Sequence, residues 1–202
     1  MWLAGLAPLV YLLGCAATGK LGANPIDFVT DMLGRWTLRI LLASLAMTPL
    51  RILTGQAWPI TLRRLLGLFA FAYVLMHFSV WVVLDFFFDW ELMLADIVKR
   101  PYITVGMTAL LCLTPLAATS TSGMIKRLGG RTWRRLHRLA YVAAVLGVLH
   151  YLWLAKVGVN TPWIYAAVLT LLLGIRIVDA FRKRFGSTPA RAGVSPGARA
   201  FK

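Results

Sequence analysis

The sequence predicts an all-α integral membrane protein: a bundle of six transmembrane helices with both termini in the cytoplasm. Three observations carry this expectation. Hydrophobic residues make up 59% of the 202-residue chain, against about 45–50% in soluble domains. Six apolar runs approach the roughly 20 residues that a helix needs to cross a bilayer. Basic residues gather on alternate connections between those runs. The runs are continuously apolar and do not alternate apolar with polar, which favours helices over a membrane barrel.

The first run is Met1–Thr18. Its "LLGC" (Leu12–Cys15) resembles a lipoprotein cleavage site, but no Lys or Arg precedes Lys20. A signal peptide needs a positive start, so a retained helix is expected. The second run, Gly34–Leu53, carries Arg35 and Arg39 near its expected outer end. The third, Leu65–Phe88, follows Arg63 and Arg64 and holds His77. The fourth, Tyr102–Ala118, begins with "RPYITVG", where Pro101 is a helix-start signal. The fifth, Trp133–Leu154, holds His137 and His150. The sixth is Trp163–Ile177. Residues 1–181 therefore read as one membrane domain, and 182–202 as a basic, unstructured cytoplasmic tail lying along anionic lipid.

The net charge of +15 invites a nucleic-acid reading, but its distribution points to topology. The connection 51–64, the connection 119–138 and the C-terminal segment together hold 16 of the 22 Lys and Arg residues. Six of the seven acids lie on the opposite face, with Asp179 the exception. The positive-inside rule puts the basic face in the cytoplasm. Membrane lipid, and no nucleic acid, is the expected partner of this charge. Tyr151, Trp153 and Trp163 suit an outer aromatic belt. Cys15 and Cys112 stand alone in apolar runs, with no C-x-x-C or C-x-x-C-H. A thiol redox pair and covalent heme attachment are both unsupported.

All three histidines of the chain fall in apolar runs, where titratable residues are rare and usually functional. His77 lies 13 residues beyond Arg64, and His150 lies 15 beyond Arg135. At 1.5 Å per residue both sit roughly 20–22 Å from the cytoplasmic face. Two helices offering imidazoles at one depth are able to clamp a heme iron from both sides. Without C-x-x-C-H the heme would be b-type. His137 lies 13 residues before His150, near the cytoplasmic surface. In a straight helix that spacing leaves the two about 140° apart, so it requires local unwinding or hemes approached from different sides. The third run offers no histidine at the lower level. It offers Arg63, 14 residues before His77 and within about 40° of the same face. Arg63 and Arg64 are thus candidates for an inner heme, or mark the interface. Arg35 and Arg39, four apart, either snorkel to the interface or meet heme propionates or a partner.

Neither G-x-G-x-x-G nor a P-loop is present, and no Ser/His/Asp or Cys/His set suggests hydrolysis. Electrons would have to come from quinol or a separate reductase. A histidine-dependent metal transporter is a second reading; such sites usually sit at broken helices or inverted repeats, and no repeat is apparent.

"GRWTLRILLASLAMTPLR" (34–51), "RRLLGLFAFAYVLMHF" (63–78), "KRPYITVG" (99–106), "TSTSGMIKRLGGRTWRRLHRLAYV" (119–142) and "LHYLW" (149–153) together resemble the MsrQ (YedZ) family, within the ferric-reductase-like transmembrane group. The resemblance implies a multi-pass subunit of the bacterial inner membrane that transfers electrons and is not itself the catalytic subunit. It implies one or two hemes b, with FMN associated, and electrons from the quinone pool or a cytosolic flavin reductase. The implied recipient is a periplasmic molybdopterin-containing methionine sulfoxide reductase. His77, His137 and His150 match the family's histidines, and Arg63 the first Arg of its "RRLLG" stretch. The wider ferric-reductase pattern has two histidines on each of two helices; this chain has one on the third helix. The ligation of a second heme therefore stays open, and no residue is assigned to FMN. A ferric reductase acting on external iron chelates is the nearest alternative.

Overall fold

A computed structural model describes residues 2–154 and 159–185. Those residues form eight α-helices and no strand. Helix α1 spans Trp2–Ala17 and α2 spans Pro25–Thr54. The start of α2 is chemically marked. Asn24 caps it, its side chain accepting from the backbone N–H of Asp27, and Pro25 occupies the first turn. Its end is a glycine: Gly55, at φ 69°, returns its N–H to the carbonyl of Arg51. Helix α3 spans Trp58–Val80 and runs on through a π-turn, Trp81–Asp85. Phe87 and Phe88 then take left-handed φ values of 47° and 64°. A short amphipathic helix, α4 (Trp90–Lys99), follows, capped by Asp89 on the N–H of Leu92 at 3.0 Å. Helix α5 is Pro101–Ala118, α6 Ser122–Leu136, α7 Leu139–Leu154 and α8 Thr161–Phe185.

Two close helix pairs organise the bundle. Helix α2 packs along α3, α5 packs along α7, and α8 lies against α2 and α7. Small residues bring the backbones together: Ala70, Ala143 and Ala144 are fully buried among Leu33, Leu41, Leu45 and Tyr73. Close approach of small residues is how helices associate where lipid removes the hydrophobic drive. Several polar ties cross the bundle. The Tyr73 hydroxyl donates to the carbonyl of Gly5 at 2.7 Å, fastening α1. Ser44 donates to the carbonyl of Arg63 at 2.9 Å. Arg176 of α8 donates to the Tyr141 hydroxyl and to the Leu45 carbonyl.

The structure corrects several expectations. Four helices among the described residues are long and apolar enough to cross a membrane, and five if α6 and α7 count as one span bent by 42°. Helix α1 is a further, shorter apolar helix: its 16 residues make about 24 Å against a core of about 30 Å, so the sixth expected span is neither added nor removed on this measure. Helix α2 begins nine residues before Gly34. Arg35 and Arg39 are therefore not near its outer end; they stand about 15 and 21 Å along a helix of about 45 Å. The fifth run is not one helix: the chain breaks at His137–Arg138, a local unwinding between the two histidines, which was one of the two possibilities their 13-residue spacing left open. Residues 182–185, placed in the tail, continue α8. The rest of that tail, and Lys156, lie outside the described residues.

Candidate heme-binding cavity

The two close helix pairs each carry one histidine on one member and a glycine on the other. His77 of α3 lies over Gly34 of α2; a Cβ on Gly34 would stand 3.0 Å from His77 Cε1. His150 of α7 lies over Gly106 of α5; a Cβ there would stand 2.9 Å from His150 Nδ1. The hydrogen bonds repeat the pattern. His77 Nδ1 donates to the carbonyl of Thr30 at 2.9 Å, and His150 Nδ1 to the carbonyl of Tyr102 at 2.7 Å. In both pairs the accepting carbonyl is four residues before the glycine, one helical turn away. A carbonyl has two lone pairs, so it serves its own helix and the imidazole together.

This arrangement dictates the tautomer. A carbonyl only accepts, so the proton sits on Nδ1 and each Nε2 keeps its lone pair. Among the described residues neither Nε2 receives a hydrogen bond. The ring centroids are 6.4 Å apart and the planes cross at 82°. A first-row metal sits about 2.0–2.1 Å from an imidazole nitrogen, which lies roughly 1.1–1.2 Å from its ring centre; two imidazoles on opposite sides of one metal thus have centres roughly 6.2–6.6 Å apart. Edge-to-face packing alone also allows about 4.5–7 Å, but it leaves two bare acceptors in an apolar bundle without use. Backbone carbonyls holding the non-coordinating nitrogen are the usual support of a histidine ligand.

The histidines flank a cavity of about 530 Å³, within the range of cofactor sites. Its walls are mostly apolar, with Leu38, Leu41 and Ala143 on the inner side. Its outer end is charged and aromatic: Asp31, Arg35, Asp85, Arg100 and Tyr151 line it. A planar amphiphile with an apolar ring and carboxylate arms fits that gradient, with Arg35 and Arg100 nearest its charged edge. Arg35 is partly committed to Asp31 at 2.7 Å.

The other sequence candidates separate. Arg39 does not line this cavity. Its Nε donates to the Tyr165 hydroxyl at 2.8 Å, its guanidinium covers Trp36 at 4.9 Å, and it borders a second cleft beside α1, which Arg35 lines as well. His137 stands at the α6–α7 break, stacked on Trp133 at 3.8 Å, with Nδ1 donating to the Trp133 carbonyl at 3.0 Å. Arg63 is near enough for its charge to act on that ring. Arg64 is exposed. Among the described residues no three His, Cys, Asp or Glu side chains converge as a metal site. Gly34, Gly106 and Arg176 were not singled out from sequence. The glycines are the seats of the histidines, and Arg176 is a half-buried cation whose Nε is without a partner.

Comparison with known proteins identifies the family. Residues 33–148 match the family described as ferric reductase like transmembrane component, a stretch that contains His77 and His137 and ends two residues before His150. The chain is 55% identical over 184 residues to the protein-methionine-sulfoxide reductase heme-binding subunit MsrQ of Rhodospirillum rubrum, covering 91% of this chain and 88% of that protein. It is 50% identical over 179 residues to MsrQ of Ralstonia nicotianae, covering 88% and 82%. It is 49% identical over 197 residues to MsrQ of Herminiimonas arsenicoxydans, covering 96% and 90%. A membrane bundle with two facing, carbonyl-held histidines, and relatives at this identity across nearly the whole length, lead to one assignment: the chain belongs to the MsrQ family of heme-binding subunits, among the ferric-reductase-like transmembrane components.

Proposed function

We propose that the protein is the membrane electron-transfer subunit of a protein-methionine-sulfoxide reductase system, with His77 and His150 as the two axial ligands of a b-type heme. The observation that carries this reading is the histidine pair: ring centres 6.4 Å apart, each held through Nδ1 by a neighbouring helix's carbonyl. When bound, the heme iron supplies one-electron chemistry. The chain's own residues fix the ligand tautomers and line the cavity with an apolar wall, and Arg35 and Arg100, at its charged end, would meet the propionates.

The rest of the reading follows from family membership and charge. Electrons enter from the quinone pool or a cytosolic flavin reductase and leave to a periplasmic molybdopterin-containing reductase. The protein lies in the inner membrane with six passes, α1 included, and its basic connections face the cytoplasm. His137 and Arg63 are the candidates for a second, inner heme. FMN has no residues assigned to it. The outer segment Asp85–Asp96 offers the docking face.

A reduced-minus-oxidised absorption spectrum with a pyridine hemochrome assay tests the core of the proposal. Purified protein from heme-replete cells should show a b-type signal. Protein that folds but carries no such signal rejects it. A second reading, reduction of external ferric chelates, is favoured only by the wider family's description. Comparing electron delivery to the reductase with delivery to ferric citrate separates the two.

A further inference from the structure

The heme reading names two ligands but leaves their orientation unexplained, and four backbone positions determine it. We infer that Gly34 with the Thr30 carbonyl, and Gly106 with the Tyr102 carbonyl, are matched seats that lock His77 and His150 with their ring planes crossed. This inference rests on the heme reading and concerns the rotation of the rings rather than the identity of the ligands.

A histidine on a helix has two free torsions, χ1 and χ2, and the second is broad. Something outside the side chain must choose its value. Here two contacts do so for each ring. The Nδ1–H bond to a carbonyl fixes one edge of the ring. The missing side chain beneath fixes how closely the ring lies on the neighbouring helix, since a Cβ would come within 3.0 Å at Gly34 and 2.9 Å at Gly106. Contacts that short force a displacement, and a ring displaced from its seat loses the line to its carbonyl.

The two seats are built alike but stand on different helix pairs, α2–α3 and α5–α7. Each lock therefore works independently, and the crossed angle of 82° is the sum of two local choices. Nearly perpendicular axial imidazoles leave the iron's two π-type d orbitals almost equal in energy. A ferric low-spin center of that kind gives an electron paramagnetic resonance spectrum with one strongly displaced principal g value. Parallel imidazoles give an ordinary rhombic spectrum. The readout reports ring orientation directly and needs no turnover.

The experiment records that spectrum on oxidised, purified holoprotein from wild type, Gly34→Ala, Gly106→Ala and Gly67→Ala. Gly67 is the control: its added Cβ would have only the Ser44 hydroxyl near, at 3.8 Å. The expected result is the strongly displaced signal in wild type and Gly67→Ala. In Gly106→Ala it should move toward a rhombic form or be lost together with the heme, while helix content by circular dichroism is retained. Gly34→Ala, with the milder contact, should keep its heme and show a smaller move in the same direction. A rhombic wild-type spectrum overturns the inference, and so does a wild-type spectrum in both Gly34→Ala and Gly106→Ala. Absence of heme from the wild type instead rejects the underlying heme reading, which the absorption spectrum detects first.

Discussion

The outer histidine pair and the inner histidine differ in what holds them. His77 and His150 are each oriented by another helix, through a carbonyl and a glycine. His137 is oriented by its own neighbourhood, bonded to the Trp133 carbonyl and stacked on the Trp133 ring. The outer rings turn toward each other and toward a cavity. The inner ring lies along its own chain at a break, with a cation nearby and no histidine opposite. Tertiary packing has prepared one site. At the other, the ring would have to leave Trp133 before it reached a metal.

The largest effect should come from the prepared site. His77→Ala and His150→Ala should each abolish the low-spin b-type absorption signal of the outer site, and a normal spectrum in either would break the comparison. His137→Ala should leave the outer signal intact; where the wild type holds two hemes, it should lower heme content by half, as read by pyridine hemochrome. Loss of all heme from His137→Ala would show that the two regions are not separate.

Smaller effects sharpen the boundary. Arg176→Leu removes two hydrogen bonds from α8 to Tyr141 and Leu45. At about 0.6 kcal/mol for a hydrogen bond within a membrane bundle, up to about 1.7, it should cost roughly 1–3 kcal/mol of stability in a denaturation series, without shifting the outer spectrum. Arg35→Gln removes a cation from the cavity and leaves Asp31 unpaired. A less positive surrounding disfavours the reduced iron, so the midpoint potential should fall, by roughly 60 mV or less, which is up to a tenfold change in a one-electron equilibrium. Arg39→Gln, outside the cavity, should leave the potential where it is. Equal shifts in the two arginine variants would contradict the separation seen in the structure.

Much of this was legible in the sequence. Hydropathy located the apolar segments, and counting from the basic turns put His77 and His150 at one depth. Mean hydropathy hid the start of α2, where Asp27 and Asp31 interrupt the apolar pattern, although "NP" at 24–25 is a cap followed by a first-turn proline. It also hid α4, whose signal was Asp89 before an amphipathic turn. The glycine seats were not readable. What a glycine does depends on the side chain that another helix lays over it, and one sequence does not say which glycine faces which histidine. The different commitments of Arg35 and Arg39 were equally hidden: one helical turn keeps them on one face, and the partner that draws Arg39 away, Tyr165, stands on α8.

The two seats also bear on how the molecule is made. Each histidine belongs to a different helix pair, and the pairs touch one another far less than their own members do. A ligand bridging them would then be a rivet closing the seam between the two pairs. Cells starved of heme should accumulate a form whose halves part readily, seen as faster cleavage by protease in the connections between α3 and α5. Cofactor supply would thereby set the lifetime of the protein as well as its colour.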